Sequence, residues 1–257
     1  MLNNRRHLGV NEGFNSGKFG LSTVGGVFSI DHSFLLDGSN EYFDIPNADL
    51  SSILQGNVQK SITFVFYYTG GAYPTLWSNG NTNRGLYFLI NDSTGAIAFQ
   101  WNNLSDSGKY VLTDPAVINK NEWNVLTFNV DTTNGSSIML NGSDLSIDTD
   151  QSIGNDVISN THKFSIGKGG VAGLSYFMGY MQQVSINKIL TLSEHQTLYN
   201  SGKPLNPQTL YGVDNHYYFN TDNSGSTAQF VVSDSVNSID ATSVNLEDAD
   251  KTTFTNY

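Results

Sequence analysis

The chain has 257 residues and no cysteine, and its 12 Lys and Arg face 23 Asp and Glu, a formal net charge of -11. The missing cysteines exclude disulfides, thiolate metal sites and cysteine nucleophiles, and the acid excess excludes nucleic acid as the main partner, because phosphate neutralisation requires a basic face. Only 14% of the residues are charged, and the polarity comes instead from 30 Asn, 25 Gly and many Ser and Thr, which form turns and disfavour helix.

Residues 1–30 are rich in Gly and Asn without a helical period and read as an extended arm. The first twenty residues lack the apolar run of a signal peptide, and no later stretch has the 18 or more apolar residues of a membrane span; the expectation is synthesis in a reducing cytosol and no membrane partner. From Ser33 the pattern is strand and turn. Ser33 to Leu36 leads into Asp37-Gly38, and Glu41 to Ile45 is stopped by Pro46. Ile62, Phe64, Phe66 and Tyr68 lie two apart and share a face, with Thr63, Val65 and Tyr67 on the other. Both faces are apolar or aromatic, as in a strand inside a two-layer sandwich. Trp77 follows Leu76 within a strand and is read as core. Leu86–Ile90 and Ala96–Trp101 form a hairpin around residues 91–95, and Trp123–Val130 with Ser137–Leu140 forms another, with Trp123 read as core. Asn141-Gly142 turns into a strand at 145–147; Lys163–Gly167 and Ser175–Asn187 follow. One short helix is predicted, capped by Ser193 with Gln196 in a capping box and ended by Asn200-Ser201-Gly202. Beyond Pro204 seven acids face only Lys251, and 204–257 reads as an acidic appendage with strands at 216–219 and 228–232. The expected fold is all-β: an antiparallel two-sheet β-sandwich over 31–203, with one helix and extended terminal segments.

The order of these motifs resembles the laminin G-like, concanavalin A-like jelly roll. Leu36-Asp37-Gly38 with Tyr42 and Ile45-Pro46 matches its opening. Trp123 with Val125, Phe128 and Asp131, then Leu140-Asn141-Gly142, matches its middle. Ile166-Gly167, Phe177-Met178-Gly179-Tyr180-Met181 and Leu192-Ser193-Glu194-His195-Gln196 through Leu198-Tyr199-Asn200 match its end. Tyr217-Tyr218-Phe219, Asp234-Ser235 and Ala241 to Asn245 also resemble tails on laminin G-like structural proteins of bacteriophages. One departure stands out: where many members place Asp and Glu after the Phe-x-Gly strand, this chain has Gln182-Gln183.

Glycoside hydrolysis needs two carboxylates flanking the scissile bond, and Glu12, Glu41, Glu122, Glu194 and Glu247 show no paired spacing within a strand. Five scattered His and no Gly-x-Ser-x-Gly elbow exclude a recognisable nucleophilic triad, and Gly167-Lys168-Gly169-Gly170 lacks the ending of a phosphate loop. No enzyme is expected. For a cofactor, the residues leave open only calcium, through Asp144, Asp148, Asp150, Asn155 and Asp156, set against a plain solvated loop. For glycans, aromatic faces beside amides suit a sugar's apolar face and hydroxyls; Trp101, Asn102, Asn103, Tyr73 and Asn79 form that set. The resemblance implies a non-enzymatic bacteriophage virion protein, in capsid decoration or a fibre or tail. It would bind cell-surface glycan, dock to other virion proteins through both terminal segments and be oligomeric within the assembly. The alternative is a stand-alone carbohydrate-binding module, with calcium dependence left open.

Overall fold

Ile62, Phe64, Phe66 and Tyr68 do share a buried face, and every one of them is in the apolar interior. They belong to a computed structural model that describes residues 30–46, 50, 53–54, 58–71, 73–81, 84–102, 109–118, 120–150, 163–169, 176–224, 230–234 and 236–253. Strands are numbered along the chain, and all pairings are antiparallel. In sheet one the order is β10 (Ser143–Asp144), β9 (Ser137–Leu140), β8 (Glu122–Asp131), β3 (Gln59–Gly70), β13 (Met178–Lys188), β1 (Ser33–Asp37) and β17 (Lys251–Thr252), with β14 (Asn215–Asn220) also on β13. In sheet two it is β11 (Ile147–Asp150), β7 (Lys109–Thr113), β6 (Ala96–Asn102), β5 (Arg84–Asn91), β4 (Thr75–Asn81), β12 (Phe164–Ile166), β2 (Tyr42–Ile45), β16 (Ala241–Val244) and β15 (Val231–Val232).

The inner faces meet over an aromatic core. Trp77 is fully buried, as expected, and stacks on Phe88 at 5.8 Å, which stacks on Phe99 at 4.8 Å. Phe128 closes on Phe88 from sheet one at 4.5 Å, so rings from both layers interlock. Such ring pairs add about 0.5–1.5 kcal/mol each beyond the area they bury.

The described part of 204–257 is no appendage: β14 pairs with β13, β16 with β2, and β17 with β1, so the C-terminal segment contributes strands to both sheets. Its acids are partly structural. Asp234, 5% exposed, accepts the amides of Tyr218 (2.9 Å), Val236 (3.1 Å), Asn237 (2.7 Å) and Ile239 (3.4 Å), tying a loop to strand β14. Asp234→Asn keeps one acceptor oxygen for four donors, and chemical denaturation should show a loss of about 1–2 kcal/mol. The arm expected over residues 1–30 lies, apart from Ile30, outside the described residues.

The helix α1 (Leu192–Tyr199) starts earlier than expected. Thr191, not Ser193, is its cap: Thr191 Oγ1 accepts from the Glu194 amide, and the Glu194 carboxylate accepts from the Thr191 amide at 2.9 Å. Glu194 wins this position because it also binds Lys188 at 2.7 Å, and that cation, first among its partners, holds its carboxyl below the ordinary value. A second helix, α2 (Pro207–Tyr211), was not anticipated; Asn206 caps it and Pro207 opens it. Both helices cover part of the outer face of sheet one, where Leu190, Leu198, Leu210 and Tyr211 pack on Met139.

Under this cover lies a buried polar layer. Ser61 donates to Asn129, whose amide donates to the Leu190 carbonyl at 2.8 Å, while the Leu190 amide donates to Ser61 Oγ at 2.7 Å. His195 is fully buried. Its Nε2 accepts from the Gly142 amide at 3.1 Å, so Nδ1 carries the proton and donates to Thr127 Oγ1 at 3.0 Å. The imidazole is thereby neutral, and burial pushes its pKa down to about 4. These bonds fasten α1 to the turn between β9 and β10.

Candidate functional site

Beyond the helices, register dictates which side chains the outer face of sheet one carries. Alternation places Val125, Thr127 and Asn129 outward when Leu126, Phe128 and Val130 are in the core, and Trp123 follows the outward set. Trp123 is partly exposed, not core. Opposite it on β3 is Tyr67, and opposite Tyr67 on β13 is Tyr180; opposite Tyr180 on β1 is Leu35. Directly opposed residues share a face, so Leu35, Tyr180, Tyr67 and Trp123 form one row across four adjacent strands. All four are partly exposed.

The rings touch. The Tyr67 and Tyr180 centroids are 5.9 Å apart at 76°, and those of Tyr67 and Trp123 are 5.8 Å apart at 66°. Each neighbour is edge-on to Tyr67, so the row is notched rather than flat.

Gly179 positions the row. Its φ is +144°, and a Cβ there would collide with the Tyr67 carbonyl. Only glycine lets β13 close on β3 beside Tyr180, which is a physical reason for the Phe177-x-Gly179 pattern. The row ends in a pinned turn: Asn141 Oδ1 accepts from the Val125 amide at 2.8 Å, and its Nδ2 donates to Asn124 Oδ1 at 3.3 Å. Met178, 43% exposed, extends the apolar surface at the opposite end.

The residues singled out from the sequence do not converge. Asn79 is fully buried, because its register opposite Leu86 turns it to the core face. Tyr73 is 41% exposed between β3 and β4. Trp101 and Asn102 end β6, opposite Leu86 and Gly85; their side chains and Asn103 lie outside the described set. For calcium, Asp144 sits on β10 in sheet one while Asp148 and Asp150 sit on β11 in sheet two. The chain changes sheets between them, and Asp148 takes the Thr149 hydroxyl at 3.1 Å. Asn155 and Asp156 are outside the described residues, and among the described residues no three acidic, His or Cys side chains gather to hold a metal.

The two glutamines that replace the expected acids are both buried. Gln182 lies in the bulge where β13 passes from pairing with β1 to pairing with β14, and its amide reaches the Ile30 carbonyl at 3.4 Å. Gln183 accepts the Tyr218 hydroxyl at 3.2 Å. A charged pair would be desolvated there, so neutral amides fit the position.

Two antiparallel sheets of this order, with a short helix across one outer face, define a lectin-type jelly roll. Residues 37–196 match the family model of the concanavalin A-like lectin/glucanases superfamily, and the chain belongs to that family. Among solved structures it is similar to the IT-sialidase CBM40 of Ruminococcus gnavus bound to α2,3-sialyllactose. There it has 16% identity over 67% of this chain and 98% of that one, with a TM-score of 0.52. The α2,6-sialyllactose complex of the same module gives the same values. Domains LG4-5 of the mouse laminin α1 chain are 15% identical over 64% of this chain and 44% of that one, with a TM-score of 0.43. No curated protein matches the sequence. At these identities the likeness is one of fold.

Proposed function

We propose that the protein is a non-catalytic glycan-binding sandwich whose contact surface is the Tyr180–Tyr67–Trp123 row. The observation that carries this is the row itself. Three partly exposed rings, brought from distant parts of the sequence into one line, offer the apolar surface on which a sugar's C–H face packs. The fold supports the reading, since the same architecture holds sialyllactose in the Ruminococcus gnavus module.

The described glutamates support a non-catalytic role. Glu41 is 8% exposed with its carboxylate on the Asp37 amide at 2.6 Å; Glu194 caps α1; Glu247 shares a capping box with Asp250. Each of these three, of the four described glutamates, has a local structural task in place of the paired-acid arrangement that glycoside hydrolysis requires.

The finer reading is a bacteriophage virion protein, displaying this face outward and docking to other virion proteins in an oligomeric assembly. Its support is the motif order of the C-terminal segment and the cysteine-free composition of an extracellular-type fold. Mass spectrometry of purified particles tests it: the chain is expected as a stoichiometric component, and its absence from washed particles contradicts the display role.

The glycan reading is tested on a glycan array. Binding to at least one glycan class is expected, and Tyr180→Ala should weaken it about tenfold, with a stability loss limited to about 0.5–1.5 kcal/mol for the lost edge contact with Tyr67. Equal binding by the variant would remove Tyr180 from the contact surface.

A further inference from the structure

The outer face of sheet two carries a second polar constellation, on the far side of the sandwich from the aromatic row. Ser78, Ser165, Asp44 and Thr242 are directly opposed across β4, β12, β2 and β16. Their neighbours Trp77, Ile166, Phe43 and Ala241 are in the core, so this row faces outward. Beside it, Asp44, Pro46, Lys163, Thr242 and Val244 line a cleft of 310 Å³, the size at which small-molecule sites begin. In the next row Lys168 lies over the Tyr42 ring at 4.0 Å.

Asp44 is out of place by local rules. Aspartate is depleted in strands, and β2 is an interior strand, flanked by β12 and β16. Its side chain is 21% exposed and its partner Lys163 is 67% exposed, and an ion pair that exposed contributes about 1 kcal/mol or less. Stability therefore does not account for a carboxylate here, and local conflicts of this kind mark functional positions.

The donor and acceptor count shows what fits. Ser165 Oγ donates to Asp44 Oδ1 at 3.1 Å, and Lys163 Nζ donates to Oδ2 at 3.1 Å. A carboxylate accepts about four hydrogen bonds, so each oxygen retains a lone pair. Lys163 retains two N–H donors, and Thr242 adds a hydroxyl. Pro46 and Val244 supply apolar walls. Two adjacent acceptors, an ammonium donor and a hydroxyl between apolar walls match a pair of neighbouring sugar hydroxyls and the C–H face behind them.

We infer that this cleft is a second saccharide subsite, selecting a pyranose with vicinal hydroxyls, so that the sandwich binds glycan on both faces. It takes the same ligand class as the proposed function, but through residues that share nothing with the aromatic row. Two opposed sites would let one protein bridge neighbouring glycans, raising avidity without new contacts.

The test is a titration of isotope-labelled full-length protein with methyl β-galactopyranoside and methyl β-glucopyranoside, to about 20 mM, above the millimolar affinity of a single sugar. Amide shifts are followed at residues 42–45, 163–168 and 241–244 and, separately, at residues 66–68, 122–125 and 179–181. Saturable shifts in the first group are expected with at least one sugar. Asp44→Asn and Lys163→Met should each weaken them about tenfold, leaving shifts in the second group intact. Tyr180→Ala should do the reverse. Shifts confined to the aromatic row overturn the second subsite and leave the proposed function standing; shifts confined to the cleft do the opposite. Cleft shifts that survive both cleft substitutions in folded protein also overturn the assignment.

Discussion

Replacing Glu41 with glutamine is expected to make the protein's stability rise by about 2–3 kcal/mol between pH 4.5 and 6.5, a slope the native protein conceals. Two buried groups titrate there with opposite sign. Burial, followed by the nearby Asp250 and Asp37 carboxylates, raises the Glu41 pKa from 4.5 to about 7. Between those values the folded state holds a proton that the unfolded chain has released, so Glu41 favours folding most at low pH and loses that contribution as pH rises through 7. His195 behaves in reverse. Its pKa falls from 6.5 to about 4, so the unfolded chain takes up a proton that the folded state refuses, and its contribution is full above 6.5 and lost as pH falls toward 4. Over the shared window the two proton differences cancel, and urea unfolding of the native protein should be nearly flat with pH from these groups. Glu41→Gln leaves His195, joined by His216, whose pKa burial also lowers, and stability should climb with pH. His195→Gln leaves the glutamate opposed only by the partly exposed His216, and stability should decline with pH. Parallel pH profiles for both variants would contradict these assignments. Below pH 4.5 all three proteins should weaken together, because Asp92, Asp131 and Glu194 have lowered pKa values.

Removal of the Trp123 ring is expected to weaken glycan binding about thirtyfold, near 2 kcal/mol, the loss typical of a truncated aromatic anchor. Trp123 ends the ring row and has the largest face in it. Trp123→Ala also removes the ring that packs on Tyr67 at 5.8 Å, so some stability is lost with the contact. Trp123→Phe separates the two effects: it keeps a ring at the same place, and should recover most of the stability and part of the affinity. Calorimetric titration with the tightest glycan from the array, together with thermal unfolding of each variant, reads both quantities. Full affinity in folded Trp123→Ala would show that the row packs the sheet and does not bind.

The strands were legible because β-branched and aromatic residues run between turn residues; β3 and β8 extend over 12 and 10 residues. The aromatic row was not, for two reasons that belong to physics more than to reading. Both faces of β3 are apolar or aromatic, so parity alone cannot say which of them meets the other sheet. Tyr67, Trp123 and Tyr180 come together only through register, which bulges at residues 178–179 and 181–183 of β13 shift. Asn79 misled because Asn beside Gly signals a turn, whereas β4 continues through Asn81 with Asn79 inside. Helix α2 had a readable signal in Asn206-Pro207, a cap followed by proline at the first turn. The acidic composition past Pro204 suggested separation, yet acids such as Asp234 are consumed by local backbone donors, and the strands they hold join both sheets.

The most direct test of the central claim is a crystal structure of the protein soaked with the tightest glycan found on the array. The expected result is a pyranose ring packed against Tyr180, Tyr67 and Trp123 on the outer face of sheet one. A glycan seated elsewhere in the same crystals, with this row accessible to solvent and bare, would contradict it.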